Sequence, residues 1–214
     1  TLLESVEIAE RECAESPLLR EMRRGPATAT LVGALLPDLL QWQKAGIVGS
    51  LLRPHLTLPQ METVRQRITG SGETLAEKMR QVLDQAEPLA RKYDVVVTNP
   101  PYITGGYDPD SKAFAEKEYP KSKSDYFAMF IERNLDMAKA SGMVAMITMQ
   151  SWMFLSSYEA LRKQLLQKET IVSMAHVGAR AFDTIGGEVV NTTAFVLEHA
   201  HHEEDKGVYL RLVE

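Results

Sequence analysis

Four consecutive residues, Asn99, Pro100, Pro101 and Tyr102, are of types suited to chemistry on a planar ring that carries an amino group. The side-chain oxygen of an asparagine and the carbonyl of Pro100 are both acceptors, and two converging acceptors can hold the two hydrogens of one NH2 group. Drawing those hydrogens out of the ring plane frees the nitrogen lone pair, which otherwise delocalises into the ring, so the amine becomes nucleophilic. Tyr102 offers a flat surface on which a flat heterocycle can stack. The proton leaves after the new bond forms, so neutral acceptors and aromatics suffice and no strong general base is required. The plainer alternative is a strand-ending turn in which Asn99 caps backbone and Tyr102 packs.

The surrounding chain favours the first reading. Asp94 to Thr98 is a β-branched run between charged residues and prolines, which predicts a short, fully buried strand of a parallel sheet. Pro100 and Pro101 lack backbone donors and cannot continue a ladder, and they push Asn99 into an extended turn. The tip therefore stands at the carboxyl end of a strand, where open α/β sheets bind ligands. Ile103 to Ser124 contains Gly105, Gly106, Pro109 and Pro120 and is expected as a loop over that edge. Its Lys112, Lys117, Lys121 and Lys123 suit a phosphate backbone, although Asp108, Asp110, Glu116 and Glu118 could simply balance them.

Ser124 and Asp125 open a helix to about Ala140, with Tyr126, Phe127, Phe130, Ile131, Leu135 and Ala138 at helical spacing and Gly142 as its stop. Met143 to Thr148 reads as the next strand, which implies a right-handed parallel crossover. A helix at Tyr158 to Gln167 with Leu161, Leu165 and Leu166 inward, and a strand at Thr170 to His176, follow. Val189 to Glu198 and Gly207 to Val213 are expected as an antiparallel edge hairpin. The turn between them carries His199, His201, His202, Glu203, Glu204 and Asp205, which reads as a solvated tip rather than a metal site.

Upstream the chain reads as helical: Thr1 to Arg24, then Leu31 to Leu52, a connector at Arg53 to Pro59, and Gln60 to Lys92 broken near Gly70 to Gly72. Leu75, Met79, Val82, Leu83 and Ala86 form a core-facing stripe. The expected organisation is a helical segment, 1–92, before an α/β portion, 93–214. With 214 residues, 44% apolar, 25% charged and a net charge of −5, the composition is that of a soluble globular protein and excludes a strongly basic nucleic-acid clamp. Cys13 is the single cysteine, so no internal disulfide is possible and a cytoplasmic setting is expected. No stretch is apolar for long enough to predict a membrane span.

The run YDVVVTNPPY at Tyr93 to Tyr102, with its following helix and strand, resembles the signature of adenine-N6 DNA methyltransferases. Three further stretches resemble the large single-chain enzymes of BREX-type phage defence and restriction-modification: IVGSLLRP at Ile47 to Pro54, SWMFLSSYEALRKQLL at Ser151 to Leu166, and AFDTIGGEVVNTTAFVL at Ala181 to Leu197. The resemblance implies a partial Rossmann-like α/β methyltransferase sheet, parallel with an antiparallel edge hairpin. It implies S-adenosylmethionine as methyl donor and double-stranded DNA as partner, together with other defence-system proteins. Asn99, Pro100, Pro101 and Tyr102 take the catalytic places, Tyr102 and Phe182 the contacts to a flipped base, and Asn99 and Phe127 the edge of the donor site. Methyltransferases of protein glutamine or RNA bases share the tip and form the alternative, beside a non-catalytic DNA-binding or assembly module.

One part of the family pattern is missing. A glycine-rich turn after a first strand, and the acidic residue that should hold the donor's ribose, do not occur; GGYDPD and TIGGEV have paired glycines in other contexts. The chain is therefore expected to start downstream of those parts, and to be inactive and weak in donor binding by itself.

Overall fold

The computed structural model describes residues 35–42, 45–68, 74–102, 106–179 and 191–213. The expected helix at Thr1 to Arg24 and the base-contact residue Phe182 lie outside the described residues. The chain divides into two compact units, Thr1–Arg91 and Lys92–Glu214.

The first unit is helical. Residues 35–42 and Ala45–Val48 are helical, and a 3-10 turn follows at Gly49–Leu51. Asp38 is fully buried, and its carboxylate accepts from the backbone N–H of His55 at 2.8 Å, from Leu56 at 3.0 Å and from the Gln41 amide at 2.6 Å. A buried carboxylate is tolerated only when so satisfied, and here it ties the helical turn to the connector. Helix α1, Leu58–Ile68, buries Met61, Val64 and Ile68, spaced three and four residues apart. Helix α2, Thr74–Ala90, buries Ala76, Met79, Leu83 and Ala86 in the same rhythm; Met79, Leu83 and Ala86 belong to the expected stripe, whereas Val82 is only half-buried. Arg65 of α1 reaches Asp84 at 2.5 Å and Glu87 at 3.0 Å on α2.

The second unit is α/β. Its elements are β1 (Tyr93–Thr98), α3 (Pro109–Glu118), α4 (Tyr126–Met137), β2 (Ala138–Met149), α5 (Glu159–Lys168), β3 (Thr170–Gly178), β4 (Thr192–Glu198) and β5 (Val208–Arg211). The five strands form one mixed sheet in the order β1-β2-β4-β3-β5. β1 and β2 are parallel, with Thr98 opposite Met146, so the expected crossover through α4 is present. β4 runs antiparallel to both neighbours, placing Phe195 opposite Met146 on one side and Met174 on the other. One face carries the core: Val144, Met146, Phe195 and Leu197 meet Phe127, Ile131 and Leu135 of α4 and Leu161 and Leu165 of α5, all buried, with Val96 packed alongside. Burial of each such large side chain contributes about 1.5–3 kcal/mol.

Five sequence expectations change here. The helix expected to reach about Ala140 and stop at Gly142 ends at Met137, and Ala138 to Gly142 already belong to β2. The last two strands are not a hairpin: β4 lies between β2 and β3, while β5 pairs in parallel with β3 at the far edge. β4 has the most apolar pattern of the late strands and takes the interior position, and the stretch from His199 to Gly207 is long enough to carry the chain past β3 to its outer side. β1 is not buried on both faces, since Val95 is 59% and Val97 73% exposed, while Val96 and Thr98 turn to the helices. Leu166, expected inward, is exposed, because α5 buries only the Leu161 and Leu165 stripe. Part of the expected loop Ile103 to Ser124 is helix α3: Asp108 caps it by accepting from the N–H groups of Asp110 and Ser111, both at 3.0 Å, and Pro109 occupies the first turn. No helix among the described residues is long and apolar enough to cross a membrane.

Candidate active site

The ladder between β1 and β2 ends at Thr98, and the two prolines carry the chain off the sheet. By strand alternation Asn99 falls on the same side as Val95 and Val97. It is exposed and lines a groove of about 440 Å3 on the open sheet face, beside Val97, Thr98, Ala145 and Ile147. Neither the Asn99 amide nor the Pro100 carbonyl takes a hydrogen bond among the described residues, so both acceptors are available. Pro100 is buried and Pro101 exposed, which anchors one side of the turn and leaves the other open.

Tyr102 turns the opposite way. Its ring is half-buried and meets Phe127 edge-on, with centroids 6.2 Å apart, and its hydroxyl is buried without a hydrogen-bond partner among the described residues. Phe127 is itself fully buried, held between Tyr102 and Tyr158, whose ring lies 5.7 Å away. The structure thus brings Tyr102 and Phe127 together and places Asn99 on the neighbouring groove, which Tyr102 does not line.

Reading the sequence for motifs missed the surroundings of this turn. Asp125, buried, caps α4 by accepting from the Phe127 N–H at 3.4 Å. Its carboxylate adds to the effect of burial in keeping three phenols protonated: Tyr102 and Tyr107 are pushed upward, and Tyr158 to about 12. Tyr107 meets Tyr126 edge-on at 5.3 Å, and its hydroxyl too is buried without a partner. The signal was present as four tyrosines within reach of one Ser-Asp helix start, but only folding shows that they converge. Asn134 was also missed; it is buried on the apolar face of α4 and donates from Nδ2 to Thr98 Oγ1 at 3.0 Å.

The lysines expected to meet phosphate are largely engaged within the unit. Lys117 pairs with Glu118 at 3.2 Å, Lys123 with Glu116 at 3.9 Å, and Lys121 donates to Gln164 at 2.6 Å. His176, at the end of β3, hydrogen-bonds Gln150 and lies 6.1 Å from the ring of Phe154. His199 pairs with the buried Glu169 at 2.8 Å, and the polar turn is tied to the start of β3 by Thr170.

A family model described as the Eco57I restriction-modification methylase matches residues 38–182, more than half of the chain. The chain belongs to this family. Its relatives include the adenine-specific methyltransferase BrxX of Escherichia coli O9:H4 (strain HS), 51% identical over 140 residues, which are 65% of this chain and 12% of that protein. The adenine-specific methyltransferase PglX of Lacticaseibacillus casei (strain Zhang) is 46% identical over 138 residues, 64% of this chain and 11% of the relative. The chain therefore spans about an eighth of each of these two relatives. Among solved structures, the DrdV–DNA complex aligns over 84% of this chain and 20% of its own, at 16% identity and a TM-score of 0.45. Membership in a restriction-modification methylase family agrees with the resemblance carried by the Asn-Pro-Pro-Tyr run.

Proposed function

We propose that this chain forms the base-activating part of a DNA methyltransferase that moves a methyl group from S-adenosylmethionine to adenine N6 of a flipped-out base, in phage defence or restriction-modification in the cytoplasm. The observation that carries the reading is the pair of acceptors, Asn99 Oδ1 and the Pro100 carbonyl, which take no hydrogen bond among the described residues, at the carboxyl end of β1 in a chain of this family.

An adenine inside the duplex is out of reach, so the base leaves the stack at a cost of about a few kcal/mol. Asn99 and Pro100 accept the two N6 hydrogens and orient the nitrogen lone pair. Tyr102 is proposed to offer the base the part of its ring that packing against Phe127 leaves exposed, a stacked base being worth about 1–3 kcal/mol, and Phe182 is proposed as a second base contact. Pro101 keeps the turn from re-entering the ladder. The rate gain comes from positioning and from the polar groups fixed beforehand.

S-adenosylmethionine supplies the methyl group as an electrophilic sulfonium. The described residues do not make a donor site unaided: Phe127 has no exposed surface and Asn99 alone borders open space. Phe127 acts in this reading by backing Tyr102. Double-stranded DNA is the proposed partner, in company with other defence proteins.

The test is Asn99→Ala in the intact protein, assayed for methyl incorporation into DNA, RNA and protein. DNA-adenine methylation is expected to fall about 100-fold or more, with DNA binding retained. Undiminished methylation, or label found only on RNA or on a protein amide, overturns the reading.

A further inference from the structure

Among the described residues no hydrogen bond holds Asn99, Pro100 or Pro101, and what fixes the turn is packing and the contacts at its two ends. Helix α4 touches both of its ends. At one end the ring of Phe127 meets Tyr102. At the other, the amide of Asn134 donates to Thr98 Oγ1 at 3.0 Å and to Met146 Sδ at 3.3 Å. Phe127 and Asn134 are seven residues apart, hence two turns along one face and about 10 Å apart along the axis. The residues they grip, Thr98 and Tyr102, flank Asn99, Pro100 and Pro101.

Asn134 is 3% exposed among Ile131, Leu135 and Met146, all buried. A leucine there would fill similar space without the desolvation of an amide. The polar group therefore answers to a geometric need rather than to stability, and the contact it makes is with the residue next to Asn99. Thr98 faces the helices, so its hydroxyl fixes the pleat at the last rung of β1 and with it the direction in which Asn99 leaves the strand.

We infer that Asn134 is a positioning residue: α4 acts as a rigid bracket, gripping Thr98 through Asn134 and Tyr102 through Phe127, and so sets the aim of the Asn99 amide. The inference rests on the proposed methyl transfer for its kinetic consequence and on the fold alone for its structural one.

The test uses the intact protein with Asn134→Leu, Thr98→Val and Thr98→Ser. The first two are expected to lower kcat for DNA methylation about tenfold, with KM for DNA and for S-adenosylmethionine within twofold and melting within a few degrees of the parent. The double variant should lose no more than either alone, and Thr98→Ser, which keeps the hydroxyl, should stay within twofold. Hydrogen exchange in the peptide carrying Thr98, Asn99 and Tyr102 should quicken several-fold in Asn134→Leu while β2 is unchanged. Unaltered kcat and exchange overturn the inference, as does a loss shared between kcat, KM and melting, which marks a merely structural residue. If the parent methylates no DNA adenine, the exchange measurement still decides for or against the bracket, and only the proposed function falls.

Discussion

Tyr102→Phe separates the two things Tyr102 does. The phenol oxygen is buried without a partner among the described residues, and a buried polar group left unpaired costs about 1–3 kcal/mol. Removing it leaves the ring and its edge-on contact to Phe127 in place. The substitution should therefore stabilise the chain by about 1 kcal/mol, which for a unit of this size raises the melting temperature by about 3–6 °C. Tyr102→Ala deletes the ring as well and should destabilise by about 2–4 kcal/mol. Thermal unfolding followed by circular dichroism reads both. In the methylation assay, Tyr102→Phe should stay within about threefold of the parent, because stacking needs the ring and not the hydroxyl. Tyr102→Ala should lose about 1–3 kcal/mol of base stacking, or about 5- to 150-fold. A Tyr102→Phe protein that melts lower than the parent would refute the reasoning, since the hydroxyl would then have a native partner.

The tyrosines around Asp125 predict an alkaline weakness. Tyr158 is pushed to about 12 by burial, with the Asp125 carboxylate adding to it, above the ordinary phenol value of about 10. Its contribution to stability is thus complete below pH 10 and lost as pH rises through 12; Tyr158→Phe should flatten that part of a pH-dependent denaturation curve. Asp108 behaves in the opposite sense, because the Ser111 hydroxyl and the capped N–H groups hold its carboxyl below the ordinary range. The cap is present at neutral pH and lost as pH falls through that lowered value, so Asp108→Ala should speed exchange of the first α3 amides several-fold at pH 7 and make little difference in strong acid.

Local pattern made the centre of the α/β unit readable. β1, α4, β2, α5 and β3 each carry their own signal, in β-branched runs, the Ser-Asp start before Tyr126, and the i, i+3, i+4 rhythm of Leu161 and Leu165. Asn99, Pro100, Pro101 and Tyr102 were readable for the same reason, since two prolines end a strand wherever it lies. What neighbours decide was not readable. Whether Val95 and Val97 are covered depends on what stands across the sheet, and whether β4 pairs with β5 or between β2 and β3 depends on strands distant in sequence. Helix α3 was an avoidable miss, because Asp108-Pro109 is a helix start whose signal was outweighed by the nearby glycines. The Asn134 contact to Thr98 lies 36 residues away along the chain, and no periodicity encodes it.

The position of β4 sets an order on synthesis. β2 pairs with β1 but has no ladder with β3; the two are joined only through a strand that begins at Thr192. While the ribosome is still making that strand, β3 and the half of α5 that packs on it have no sheet to close against, and the nascent chain must wait with Met174 and Ile171 uncovered. The stretch matched by the family model stops at residue 182, ten residues short of the piece that knits its own strands together. A clone trimmed to the matched boundaries would thus encode the Asn-Pro-Pro-Tyr run and helix α4 and still lack the strand that joins β3 to the rest of the sheet.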